Sequence, residues 1–324
     1  MRRGLKGMRA KMKLLSSAFL IGIKGIGALP IGWRASGGAA LGRLFALFPT
    51  RDRKICKAQL RTFLGPDATK FLPGVYAQLG KSIAESLNLK PLLARPELFQ
   101  FLEEDRAKEL MNSGRPLICL TGHIGNWDLF GALMNARGFP VTAIGREARN
   151  KTLQTVLAAL RDSYGIQTIW RTGSAQGARD ILRALKGGRW VAALIDQDTR
   201  VAGAFVPFFG IPAVTPSSLI DLALRQKAHI VSAFLVREGL GGYVAYRELP
   251  SSGTPEETLA AYHLHLEEVI RRNPEQWVWI HKRWRTLANG ERLSSREYLK
   301  ILERGELSPP QSELLTPVAT SIVP

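Results

Sequence analysis

Two hydrophobic periods alternate through the middle of the chain. Short apolar runs bounded by glycine or proline read as buried strands, and stretches with apolar residues three and four apart read as the helices between them. Strands are expected at 116–120, 140–144, 166–170, 190–195, 230–236 and 243–248. Helices are expected at 105–111, from Trp127 onward, over 151–164, and over 174–186, where Ser174 caps the start and Gly187-Gly188 ends the element. Thr215-Pro216 reads as a further helix start, because proline's missing donor is harmless there. Thr254-Pro-Glu-Glu is a capping box, with Glu257 reaching back, for a helix ending at Asn273-Pro274. Upstream, 75–87 places Val75, Leu79, Ile83 and Leu87 on one stripe, which suggests core packing. The fold class is therefore α/β, a mostly parallel central sheet covered by helices. No internal repeat is visible, and the proline-rich stretch 308–324 is expected to be disordered.

The pattern differs at the N-terminus. Six basic residues fall within 1–13, followed by a glycine-rich apolar region to Phe48 that Lys24, Arg34 and Arg43 interrupt and Pro30 breaks. No uninterrupted apolar run approaches the roughly 20 residues that span a bilayer. Basic residues recur through the region and no clear cleavage site follows, unlike a signal peptide. Residues 1–65 are read as a membrane-associated helical region lying at the interface, and 66–307 as the α/β domain. The alternatives are a core helix behind a solvated basic arm, or a spanning helix whose Lys24 snorkels. A second basic cluster, Arg51, Arg53, Lys54, Lys57 and Arg61, closes the region.

Charge sharpens this picture. The formal net charge of +18 calls for an anionic partner. With few histidines and cysteines, and no RNA-recognition or helix-turn-helix pattern, nucleic acid is not expected, and an anionic membrane surface is preferred. Cys56 and Cys119 are spaced neither as a metal site nor as a disulfide framework. No metal is expected.

Candidate chemistry concentrates in Thr121-Gly-His-Ile-Gly-Asn-Trp-Asp128, where the strand at 116–120 turns into a helix. Ligands collect at the carboxyl ends of strands in open α/β sheets, and a helix start adds positive potential. His123 and Asp128 cannot share one face of a regular helix. They can meet if His123 lies in the turn and Asp128 in the first helical turn; the carboxylate would then fix the tautomer and leave the other nitrogen as a base. Gly122 and Gly125 let the backbone bend and approach a substrate. The spacing is equally that of a helix-start aspartate beside a satisfied turn histidine. Arg146, after the 140–144 strand, belongs to the same sheet edge and suits a phosphate or an oxyanion; Asn150 orients it or caps the next helix. Asp196 and Asp198, after the 190–195 strand, would point the same way if the strand continued, toward a hydroxyl-bearing headgroup or into salt bridges with Arg200. Residues 206–215 suit the wall of an aliphatic pocket or a packed loop. Trp277, Trp279 and Trp284, around His281-Lys-Arg, read as an interfacial aromatic belt or a core helix. His229, His263 and His265 are given no role.

Together these blocks resemble the lipid A biosynthesis acyltransferases, a branch of the lysophospholipid acyltransferase superfamily. The resemblance runs from about Leu14 to Thr286. It rests on the basic apolar N-terminus, His123-Ile-Gly-Asn-Trp-Asp128, and Arg146 with Asn150. It continues through Asp196-Gln-Asp198, Val206-Pro-Phe-Phe-Gly210 with Thr215, and Trp279-Ile-His-Lys-Arg. The acid after the histidine is often Glu in that family; the Asp here is also similar to phosphatidylinositol mannoside acyltransferases. The resemblance implies transfer of a fatty acyl group from an acyl carrier protein or coenzyme A thioester, with no further cofactor, to a hydroxyl of a membrane glycolipid. The place implied is the cytoplasmic face of the inner membrane. It implies His123 as general base oriented by Asp128, with Gly125, Asn126, Arg146, Asn150, Asp196 and Asp198 at the substrate. A phosphatidylinositol mannoside or lysophospholipid acceptor, or a non-enzymatic basic membrane or nucleic-acid binder, are the competing readings.

Overall fold

The computed structural model describes residues 25–147, 151–171 and 175–307. Three long helices precede the sheet, with short helical turns between and after them: α1 (Ile31–Phe45), α2 (Arg51–Leu64) and α3 (Leu72–Ser86). There follow β1 (Phe99–Gln100), α4 (Glu104–Asn112), β2 (Leu117–Thr121), α5 (Trp127–Ala136), β3 (Val141–Gly145), α6 (Lys151–Asp162), β4 (Gln167–Trp170), α7 (Ala175–Lys186) and β5 (Trp190–Leu194). The chain then forms β6 (Gly203–Phe208), β7 (Ile211–Pro216), α8 (Ser218–Arg225), β8 (His229–Glu238), β9 (Gly241–Leu249), α9 (Pro255–Arg272) and α10 (Ser295–Glu303).

The main sheet runs β1-β9-β8-β2-β5-β3-β4, and only the β8–β9 pair is antiparallel. Helices cover both faces of this mostly parallel sheet. Strand β2 lies at its centre and is buried along its whole length, as a five-residue run without polar alternation requires. Its carboxyl end delivers residues 122–126 beside the end of β5. The capping box at Thr254 is present, and α9 ends at the expected Asn273.

Three expectations change. Thr215-Pro216 ends a strand rather than opening a helix, because 203–216 forms an antiparallel hairpin, β6–β7, and α8 begins at Ser218. Trp277, Trp279 and Trp284 lie in no helix and are fully buried, so they are core and not an interfacial belt. Trp284 stacks on Phe63 of α2 at 3.7 Å between ring centroids. In α3 the buried face carries Val75, Ser82 and Glu85, while Ile83 is exposed. Polar residues occupy that face because they serve the turn after β2, as described below. Ser174 and Asn150, the N-terminal basic arm and the 308–324 tail lie outside the described residues.

Helix α2, counted above with the N-terminal region, inserts Ile55, Cys56, Leu60 and Phe63 into the same core as the sheet. Helix α1 meets α3 through glycines. A Cβ on Gly38 would lie 2.5 Å from the Gly80 carbonyl oxygen, and one on Gly42 would lie 2.0 Å from that of Tyr76. The face of α1 opposite these glycines is turned outward. Among the described residues, no helix is long and apolar enough to cross a membrane.

Two histidines of α9 are buried and uncharged. Burial, then Arg283, pushes His263 down to about 3; burial, then Arg247 and Arg272, pushes His265 down to about 3. His263 Nδ1–H donates to the Pro207 carbonyl at 2.8 Å, and its Nε2 accepts from Arg283 at 3.1 Å. Their folded-state values lie below the unfolded value, so from about pH 6.5 downward the unfolded chain takes up protons that the fold refuses. Stability therefore falls with pH, by up to about 1.4 kcal/mol per unit for each histidine. Thermal melts between pH 7 and pH 5 are expected to show this slope. His263→Gln should flatten it by one histidine's share; an unchanged slope would refute the assignment.

Candidate active site

The turn from β2 to α5 is gripped from two sides. On one side, Asn126 caps α5 by accepting the Leu129 N–H at 3.0 Å, and its amide donates to Glu85 Oε2 at 3.2 Å. Glu85 pairs with Arg237 at 2.7 Å, both nearly fully buried, and Ser82 Oγ donates to the Gly125 carbonyl at 2.9 Å. On the other side, Gly125 N–H donates to the Gln276 carbonyl at 3.0 Å and Val278 N–H to the His123 carbonyl at 3.1 Å. Gly125 has φ +59°, and a Cβ there would meet the Leu235 carbonyl at 2.0 Å, so only glycine fits the turn. Asn126 and Gly125, expected at the substrate, are thus fully engaged inside the protein.

The grip presents His123 at the sheet's carboxyl edge. Its Nδ1–H donates to Asp196 Oδ1 at 2.7 Å. Asp196 Oδ2 accepts the His123 backbone N–H at 2.7 Å and Trp277 Nε1–H at 2.9 Å. Burial alone would push this carboxyl up, but His123 and the three donors hold it well below the usual carboxylate range. With Nδ1 protonated by this arrangement, the lone pair of neutral His123 sits on Nε2. The Gln197 amide nitrogen lies 2.9 Å from Nε2 and 3.2 Å from Nδ1 of His123. An atom almost equally far from both nitrogens sits over the ring's face, not on the Nε2 lone-pair axis. Trp127 packs edge-on to the same ring, with centroids 4.9 Å apart.

Asp128 is not the histidine's partner. Its carboxylate accepts from Arg161 Nε at 2.9 Å, tying α5 to α6. The first turn of α5 carries Asp128 away from the imidazole, and Asp196, reached only through the β2–β5 pairing, takes the place the motif suggested for it. Nor do Asp196 and Asp198 act together. The chain leaves the strand after Leu194, and Asp198 accepts the Thr286 N–H at 2.8 Å and lies 2.9 Å from Arg292, holding the 286–292 loop. Arg146 is exposed beyond β3, next to Arg171 beyond β4, whose N–H donates to the Gly145 carbonyl at 2.9 Å. Neither has a carboxylate partner among the described residues.

A small apolar cavity is walled by Trp127, Phe130, Met134, Val141, Trp190 and Leu194, with Thr121, Asp128 and Arg161 among its polar lining; neither His123 nor Asp196 lines it. Among the described residues, no cluster of three His, Cys, Asp or Glu side chains is placed to hold a metal ion. Sequence reasoning gave no role to Gln197, His281 or Arg161. Gln197 and His281 lie inside the blocks Asp196-Gln-Asp198 and Trp279-Ile-His-Lys-Arg, which was the signal available for them.

The family model for bacterial lipid A biosynthesis acyltransferases matches residues 3–286. The chain belongs to that family. Among curated relatives, it is 25% identical over 198 residues to a lipid A biosynthesis acyltransferase of Haemophilus influenzae, covering 60% of this chain and 61% of the relative. It is 30% identical over 195 residues to the lipid A biosynthesis palmitoleoyltransferase of Escherichia coli, covering 58% and 61%. It is 24% identical over 191 residues to a phosphatidylinositol mannoside acyltransferase of Mycolicibacterium smegmatis, covering 58% and 63%. The matched stretch thus spans about three-fifths of each relative's length.

The Asp128–Arg161 assignment is open to a double-mutant cycle. Asp128→Asn and Arg161→Gln are expected to be non-additive in thermal stability, with a coupling of about 1 kcal/mol. Asp128→Asn and Asp196→Asn should be additive within a few tenths; the reverse pattern would return Asp128 to the imidazole.

Proposed function

We propose that this chain transfers a fatty acyl group from an acyl thioester to a hydroxyl of a membrane glycolipid, with His123 as general base and Asp196 as the carboxylate that orients it. The observation that carries this reading is the His123–Asp196 contact: a buried carboxylate on Nδ1 and an Nε2 lone pair left for a substrate proton. An alcohol is a poor nucleophile at neutral pH, and a positioned base contributes typically about 10²–10⁴-fold. His123 Nε2 takes the acceptor hydroxyl proton as its oxygen attacks the thioester carbonyl. The tetrahedral intermediate then collapses, the carbon–sulfur bond breaks, and the proton passes to the leaving thiolate. Asp196 stabilises the imidazolium formed between these steps. Arg146 and Arg171 supply positive charge at the same edge, suited to the oxyanion or to a phosphate. The donor is an acyl carrier protein or coenzyme A thioester, and the acceptor is a glycolipid, in line with the lipid A and phosphatidylinositol mannoside that the relatives' names carry.

The outward side of α1 supports a membrane attachment. Trp33, Leu41, Leu44 and Phe45, with Leu47 and Phe48 beyond it, are exposed, Trp33 by 75%. Arg51, Lys54, Lys57 and Arg61 continue this apolar patch as a basic stripe on the exposed face of α2. An apolar patch next to a basic one suits an anionic bilayer surface, at roughly 1 kcal/mol per basic residue. The inner face of α2 holds the site loop, through Gln59 Nε2 donating to the His281 carbonyl at 2.8 Å. A lipid-borne acceptor would therefore meet the site without leaving the surface. The reading places the protein at the cytoplasmic face of the inner membrane.

Purified protein incubated with an acyl thioester and a glycolipid acceptor, read by product mass, is expected to show one added acyl group. His123→Ala should abolish product, and Asp196→Asn should lower kcat by about 10²–10⁴-fold with little change in KM. An active His123→Ala protein would reject the base assignment. In sedimentation with vesicles containing anionic phospholipid, Trp33→Ser combined with Phe45→Ser should cut bound protein severalfold while transfer to a detergent-dispersed acceptor persists. Undiminished vesicle binding would dismiss the α1 surface.

A further inference from the structure

The site contains a second imidazole that the proposed reaction does not use. His281 lies with its ring centroid 5.3 Å from that of His123, on the loop whose backbone pairs with the catalytic turn. Two histidines so close invite a problem. When His123 accepts the acceptor's proton it becomes a cation, and a charged His281 beside it would oppose that step. Gln197 stands between them. Its amide nitrogen lies 2.8 Å from His281 Nε2 while resting over the His123 ring. An amide nitrogen can only donate, so His281 Nε2 must be the acceptor and its ring proton must reside on Nδ1. The hydrogen bond occupies the lone pair on which His281 would otherwise be protonated.

We infer that Gln197 is a positioning residue whose amide N–H keeps His281 uncharged beside the base, so that the only imidazolium formed in the site during turnover is that of His123. This rests on the reading of His123 as the general base. Burial, then the proximity of His123, pushes His281 down to about 4, in line with the geometry. The charged groups around the pair are Asp196, held on His123, and Lys282, paired with Asp52 of α2 at 3.2 Å. Neither contacts His281 Nε2, so the Gln197 amide is the group that fills it. The residue cannot be replaced by a carboxylate without inverting its effect, since an acceptor at this place would favour the protonated ring.

The test has an arm independent of activity. In the wild-type protein in detergent micelles, the His281 ring resonance, assigned by its loss in His281→Asn, is expected not to titrate above about pH 5. A titration near pH 6.5 would overturn the inference, whatever the enzyme does. In Gln197→Ala, His281 should titrate above pH 5, and the acid limb of the kcat profile should move upward by about one pH unit. Adding His281→Asn removes the second charge and should return the limb to its wild-type position. A limb unmoved in Gln197→Ala, or still displaced in the double variant, would assign the amide to packing alone. Should His123→Ala retain activity, the base reading fails, while the difference in His281 titration between the wild-type protein and Gln197→Ala still reports on Gln197.

Discussion

A carboxylate sealed from solvent at the carboxyl edge of a sheet governs this structure. Asp196 is 1% exposed, and a charge in that position is strongly destabilising unless donors surround it. Its two oxygens receive the imidazole and backbone N–H groups of His123 and the indole N–H of Trp277. The donors come from the turn after β2 and from the loop after α9, far apart in the chain. Satisfying one buried charge therefore locks together the three segments from which the site is made, and fixes the tautomer of the histidine as a consequence.

A second buried charge does similar work behind the turn. Glu85 and Arg237 come from α3 and β8, and their pairing leaves one Glu85 oxygen for Asn126 and one Arg237 nitrogen for Ser82. Removing one member would strand the other in the core, so the network resists partial change. Asn126 then serves two masters, the helix N-terminus and the buried carboxylate, which is why it is closed to a substrate. Rigidity of the turn, more than any contact it offers to ligand, is what this part of the motif supplies.

The same helix that anchors the turn also carries the outward surface. Helix α3 holds α1 by glycine contacts close enough to exclude a methyl group, and α1 presents its aromatic and aliphatic side chains away from the protein. Arg34, buried on the inner side of α1, donates to the Glu85 carbonyl at 3.4 Å. Surface and site thus share one structural support, and a change in the seating of α1 would be felt at Glu85 and Asn126.

The alternating periods along 116–248 determined the α/β class, and most strands lie within a residue or two of where the pattern puts them. Local chemistry also sufficed for the capping box at Thr254 and for the strand-to-helix turn that displays His123. It did not suffice for hairpin β6–β7, whose Thr215-Pro216 imitates a helix start, because strand pairing overrode the local signal. Nor did it identify the histidine's carboxylate. Asp128 is five residues from His123 and Asp196 is seventy-three, and only the adjacency of β2 and β5 brings the distant one into contact. Sequence spacing reports who is near along the backbone. A hydrogen bond at 2.7 Å depends on which strand ends lie side by side, and sheet order is settled by packing of the whole domain.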